Sequence, residues 1–173
     1  EEVKSISKNN GGFEITTNKN NFKTKKVIIA TGFYDIPNLL NVPGEYLPKV
    51  LHYYKEAHPF TLQDIAVVGA SNSSVDAALE IYRKGGNVTM IVRGDDIGER
   101  VKYWVRPDII NRIEEGSIKA YFNSEITNIE SHQITIQTPE GKKILPNDYV
   151  VALTGYQPNF KFLDSAGIEF SKD

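Results

Sequence analysis

Short apolar runs bounded by turn signals recur along this chain, and such a run predicts a strand buried on both faces. Asp64–Val68, Val88–Val92 and Ile118–Phe122 are three of them. Between the first two, Val75, Ala78, Leu79 and Tyr82 fall at i, i+3, i+4 and i+7, one apolar helical face. Asn72 or Ser73 can cap that helix, because a short polar side chain satisfies the free N–H groups of a first turn. Gly85 and Gly86 can end it by supplying the positive φ of a helix C-terminus. Pro107–Gly116 predicts a second helix, with proline near its start and glycine at its end. The pattern is a β-α-β-α-β unit with a parallel sheet.

Alternating segments predict hairpins on either side of that unit. Phe13–Thr17 alternates, turns through Asn18–Asn21 and returns from Phe22. Gln133–Thr138 alternates, turns at Pro139–Gly141 and returns through Lys142–Leu145. Each hairpin precedes another apolar run, Lys25–Phe33 and Asp148–Tyr156, and both runs end in Thr-Gly-aromatic with Pro-Asn a few residues on. One module, hairpin then buried strand then Thr-Gly, therefore occurs twice. The fold class is α/β: a Rossmann-like dinucleotide-binding βαβαβ parallel sheet with a β-hairpin or meander. The expected organisation is an incomplete first segment over 1–45, a connection over 46–63, a complete domain over 64–155 and a returning segment over 156–173. Four prolines (37, 43, 48 and 59) fall in the stretch between the two modules.

Composition narrows the function. The chain has 173 residues, with 20 Lys+Arg against 22 Asp+Glu and no cysteine. A net charge of −2 argues against a nucleic-acid binder, which needs a basic excess to displace counterions. No apolar run approaches the roughly 20 residues of a membrane span. The absence of cysteine excludes a disulfide scaffold, a thiolate metal site and dithiol redox chemistry carried by this chain. The chain opens on Glu1 and Glu2 with no basic-then-apolar leader, so the expectation is a cytoplasmic protein whose N-terminus has been cut from a longer chain.

The candidate chemistry sits at the first strand-to-helix turn, Gly69–Ser74. A dinucleotide pyrophosphate needs a tight turn, close backbone approach and free N–H groups at a helix N-terminus. Gly69 supplies the turn, Ser71 stands at the second-glycine position, and Ser74 at the third is small enough for helix–strand packing. At the end of the second strand, where an acidic residue would hold a ribose 2′-OH, this chain has Arg93. A guanidinium there suits a 2′-phosphate, which points to NADPH rather than NADH. Asp95 and Asp96 oppose that charge if they face the site; Arg100 and Lys102 add to it. Elsewhere, His52 and His58 lack the spacing and partners of a zinc site, and His132 falls on a hairpin. Arg100–Arg106 mixes basic and aromatic residues, a pattern that suits cofactor or domain contact in a chain of this charge. There is no G-x-S-x-G elbow, so neither a catalytic residue nor a metal ligand is assigned.

These residues resemble the two-dinucleotide-domain flavoproteins, in which an NADPH domain is inserted into an FAD domain. Ile28–Gly32 looks like the strand ending that the family places near FAD, and Leu153–Gly155 like its counterpart on return. Val67–Asp76, Val92–Gly94, Lys102–Val105, Gly116–Ser124 and His52–His58 look most like the thioredoxin-reductase-like pyridine nucleotide-disulfide oxidoreductases of the bacillithiol-disulfide reductase branch. The resemblance implies that the βαβαβ domain is inserted in remnants of an FAD-binding domain. It implies that Gly69, Ser71, Asn72 and Ser73 hold the pyrophosphate, that Arg93 and Lys102 meet the 2′-phosphate, and that Thr31, Gly32, Thr154 and Gly155 lie near an FAD whose site is mostly outside this chain. The implied reaction is hydride transfer from NADPH to FAD and on to a low-molecular-weight disulfide such as bacillithiol disulfide, in a parent protein open to homo-oligomer formation. Thioredoxin reductases carry a Cys-x-x-Cys just before the NADPH-domain strand, and residues 45–66 here have none. Two alternatives stay open: the NADPH domain of a flavin-dependent monooxygenase, and a non-catalytic nucleotide-sensing module.

Overall fold

The computed structural model describes residues 1–169. In chain order the elements are β1 (Val3–Asn9), β2 (Gly12–Thr17), β3 (Asn21–Thr24), β4 (Ile36–Pro37), β5 (Val50–Leu51), β6 (Asp64–Val68), α1 (Asn72–Arg83), β7 (Asn87–Ile91), α2 (Arg106–Glu114), β8 (Lys119–Tyr121), β9 (Glu125–Ile129), β10 (Gln133–Thr138), β11 (Gly141–Pro146), β12 (Tyr149–Ala152), β13 (Tyr156–Gln157) and α3 (Phe160–Ser165). They form two units, a smaller one of residues 1–38 with 155 onward and a larger one of Leu39–Thr154. Residues 170–173, the end of the expected returning segment, lie outside the described residues.

In the larger unit five parallel strands lie in the order β5-β12-β6-β7-β8. Strand geometry sends successive side chains to opposite faces, and β6 is apolar on both because both faces are covered. Ile65 and Val67 pack in one cluster with Val75, Ala78 and Leu79 of α1 and Ile109 of α2. Ala66 and Val68 pack in a second cluster with Ile126, Ile129, Ile134 and Ile136 of the β9–β10–β11 meander. The strand β12 divides in the same way, Val151 going to the helices and Val150 and Ala152 to the meander. Helix α1 ends where Gly85 turns to φ +85. There the Gly85 and Gly86 N–H groups donate to the carbonyls of Tyr82 and Ile81, the paired bonds of a Schellman motif.

The segment 46–63, expected as a connection, is part of this unit. Its β5 pairs in parallel with β12 and covers an edge whose N–H and C=O groups would otherwise be open. Ala57 and Phe60 are buried in the helix-side core. Leu40 and Val42 pack against the meander-side core, so 39–45 also folds with the larger unit rather than with 1–38. Two buried polar residues brace the meander against the sheet. The Lys49 ammonium donates to the carbonyls of Glu130, Ser131 and Asn147 at 2.8, 3.2 and 2.7 Å. The Asn147 amide in turn donates to Asp64 O and Tyr149 O.

The smaller unit holds an antiparallel meander, β1-β2-β3, and a two-stranded ladder of β4 with β13. The hairpin expected from Phe13 is present, and β1 joins it as a third strand that the mixed residues of Val3–Asn9 did not announce. The apolar run Lys25–Phe33 departs from expectation: residues 25–32 carry no strand, and Ile28 is 90% exposed. A strand exists through ladder bonds to a neighbour, and among the described residues none pairs with this run. Its look-alike at 148–156 does form a strand, because β5 and β6 flank β12 on both sides. That strand stops at Ala152, three residues short of Gly155. No helix among the described residues is long and apolar enough to cross a membrane.

Candidate functional site

The turn between β6 and α1 sits at the C-terminal end of the parallel sheet, where backbone amides leave a strand and enter a helix. Gly69 has φ +125, and a Cβ placed on it would lie 2.8 Å from Leu153 O and 3.2 Å from Ser74 Oγ. Only glycine fits that crowding with that backbone. The Gly69 N–H donates to Ile91 O at 3.1 Å, tying the turn to the end of β7.

The helix cap differs from expectation. Ser71, with extended backbone, is the N-cap residue, and its side chain makes no capping bond. Its carbonyl accepts from Val75 N at 3.0 Å and from the buried Ser74 hydroxyl at 2.8 Å. Asn72 and Ser73 therefore lie in the first helical turn rather than before it. The amides of that turn have no intrahelical acceptor by helix geometry, and they sit at the positive end of the helix dipole. With the Ser71 hydroxyl left uncommitted to capping, the turn fits an anionic pyrophosphate, the ligand such a helix start favours.

Asn72 is engaged more heavily than its residue type predicts. Its Oδ1 accepts from Lys102 N at 2.9 Å and its Nδ2 donates to Arg100 O at 3.1 Å. The Gly98 N–H donates to Ala70 O at 3.0 Å, a second tie between the same loop and the turn. The Lys102 ammonium pairs with Asp76 at 2.7 Å, a partner that sequence reasoning missed although Asp76 lies one turn along α1 from Asn72.

Arg93 follows the last buried residue after β7 and is exposed, and its side chain makes no hydrogen bond or ion pair among the described residues. It lines an open groove of about 360 Å³ with Asn123, Ser124, Glu125 and Thr138. Asp96 is held elsewhere: one carboxylate oxygen pairs with Arg106 at 2.7 Å and the other accepts from Ile97 N. Tyr103 and Trp104 are 82% and 65% exposed and meet edge to face at 4.8 Å. The structure thus brings Gly69, Ser71, Asn72, Ser73 and Lys102 around one helix start, with Arg93 at the end of the neighbouring strand.

The other four expected residues sit elsewhere. Thr31 and Gly32 are exposed in the stretch without strand pairing, and the Thr31 hydroxyl donates to Gly32 O at 3.5 Å. Gly155 accepts from Asn38 N at 2.9 Å within the smaller unit, while Thr154 closes the larger one. No group of three or more potential metal ligands occurs among the described residues.

Comparison with known proteins follows the same lines. The family model described as pyridine nucleotide-disulphide oxidoreductase matches residues 1–173. The chain is similar to bacilliredoxin reductase Bdr of Bacillus subtilis, 41% identical over 165 residues, covering 95% of this chain and 51% of the relative. Among solved structures, bacillithiol disulfide reductase Bdr from Staphylococcus aureus superposes with a TM-score of 0.96 at 40% identity, covering 99% of this chain and 53% of that one. The thioredoxin reductase of T. acidophilum superposes with a TM-score of 0.83 at 25% identity, covering 99% of this chain and 57% of that one. The chain spans about half the length of the relatives it matches. With a family model matched from end to end and a parallel sheet carrying a glycine turn at its helix start, the chain belongs to the pyridine nucleotide-disulphide oxidoreductase family.

Proposed function

We propose that this chain is the NADPH-binding portion of a flavin-dependent disulfide reductase. In this reading the larger unit, centred on 64–155, holds the nucleotide, and the smaller unit is part of an FAD-binding domain completed by further chain. The observation that carries it is the pairing of the Gly69–Ser74 turn with an exposed Arg93, unpartnered among the described residues, at the end of the adjacent strand. Bound at the turn, the nucleotide would present its pyrophosphate to the amides of Asn72 and Ser73 and its 2′-phosphate to Arg93. The chemistry supplied there is hydride donation from the nicotinamide, passed through flavin to a low-molecular-weight disulfide. Bacillithiol disulfide is the candidate substrate, a choice supported by the names of the similar solved structures from S. aureus and B. cereus. The setting is cytoplasmic. With only part of an FAD-binding domain present in this reading, the purified chain is expected to be colourless and inactive as a reductase.

Arg93→Ala tests the assignment. A charge-assisted contact is worth about 1–3 kcal/mol, and the preference for NADPH over NADH should shrink by that much. Lys102→Ala should cost less, below about 1 kcal/mol, because its ammonium is already held by Asp76 at a half-exposed site. Binding isotherms for both nucleotides, with each variant, read the two effects. Equal losses for NADPH and NADH on removing Arg93 would contradict the 2′-phosphate assignment.

A further inference from the structure

The two hydrogen bonds of Asn72 clamp one bend of the loop that precedes α2. They take the N–H of Lys102 and give to the C=O of Arg100, on either side of Val101 where the loop bends. Between these contacts Val101 is plugged into the core at 4% exposure. From Lys102 the chain turns at once, since Lys102 O accepts from Val105 N at 2.9 Å and Arg106 N at 3.0 Å, which opens α2. Tyr103 and Trp104 lie on that turn, so their position is set by where Lys102 is held. Both polar atoms of the Asn72 carboxamide are used inside the protein.

We infer that Asn72 is a positioning residue whose carboxamide latches the 98–105 loop across the start of α1, fixing Arg100, Tyr103 and Trp104 beside the turn. It rests on the proposed nucleotide site for its functional meaning: Asn72 acts on the nucleotide through the loop, and its side chain is not a phosphate ligand. The latch itself is a property of the free chain.

Trp104 is the sole tryptophan and reports on the loop directly. Asn72→Asp is nearly isosteric and places an acid at the first helical position, where the dipole favours it. The helix is therefore unharmed or strengthened, while the donor to Arg100 O is lost. Asn72→Ala removes both bonds. In the nucleotide-free chain, both variants should lower Trp104 fluorescence anisotropy. Hydrogen exchange at the Lys102 amide should accelerate about tenfold in Asn72→Ala, the effect of one lost hydrogen bond. The melting temperature of Asn72→Asp should stay level or rise, which a general loss of structure would not allow. NADPH should bind Asn72→Ala about five- to tenfold more weakly than the unmutated chain. Wild-type anisotropy and wild-type Lys102 exchange in both variants would overturn the latch. Weakened NADPH binding without any change in exchange would make Asn72 a direct ligand and overturn the positioning role. If the unmutated chain binds no NADPH, the nucleotide-site reading falls, and the exchange result still decides the latch.

Discussion

Lys49→Met is expected to lower the unfolding free energy by about 3 kcal/mol, the cost of leaving buried acceptors without donors. Methionine keeps the length of the aliphatic stem but strips the donors from Glu130 O, Ser131 O and Asn147 O. Glu130 and Ser131 are exposed and can turn their carbonyls to water, so the loss concentrates at the buried Asn147. Asn147 also holds Asp64 O and Tyr149 O, so loosening it reaches the start of β6 and β12. Urea unfolding monitored by circular dichroism reads the change, and a loss below about 1 kcal/mol would show that water replaces the ammonium freely. The variant also has a pH signature. Burial pulls the Lys49 pKa below its ordinary value of 10.5, against the opposing pull of Asp148. With the folded value depressed, the unfolded chain binds more protons between the two, so this residue makes stability rise with pH as it nears 10.5 and fall as pH drops through the folded value. Lys49→Met should abolish that alkaline slope.

Gly69→Ala is expected to cost about 2–3 kcal/mol of stability and to weaken NADPH binding on the order of 100-fold. Two effects add at this position. A side chain at φ +125 is strained, and its Cβ would press on Leu153 O at 2.8 Å, a backbone atom held by the Leu153 N–H bond to Val68 O. Relief would require moving β12 away from β6 or tilting the turn, and the second displaces the amides proposed to meet the pyrophosphate. Thermal unfolding and a nucleotide titration separate the two losses. Normal nucleotide affinity in a destabilised Gly69→Ala chain would mean that the phosphates do not use this turn.

The parts of this molecule that were legible in the sequence are those decided locally. The runs at 64–68 and 88–92, the spacing of Val75, Ala78, Leu79 and Tyr82, and the glycines after α1 each carry their own structural instruction, and all appear where expected. The two Thr-Gly runs show the limit. Lys25–Phe33 and Asp148–Tyr156 have the same pattern, yet only the second becomes a strand, because strand formation depends on neighbours that residue pattern does not encode. Similarly, β5 is two residues long and is stabilised by the open edge of β12 rather than by its own composition. At the site, the turn and Arg93 were readable as a motif. The Asn72 bonds to the backbone of residues 100 and 102 and the Asp76–Lys102 pair were not, since they join groups about 26 to 30 positions apart in the chain.

A single titration decides whether the unmutated chain distinguishes nucleotides at their 2′-phosphate. Trp104 emission overlaps NADPH and NADH absorption equally, so quenching on binding compares the two ligands with one probe. Saturable quenching by both is expected if Arg93 meets the 2′-phosphate, with NADPH at least about tenfold tighter, the worth of one charge-assisted contact. Superimposable curves for NADPH and NADH, or no saturation by either, would contradict it.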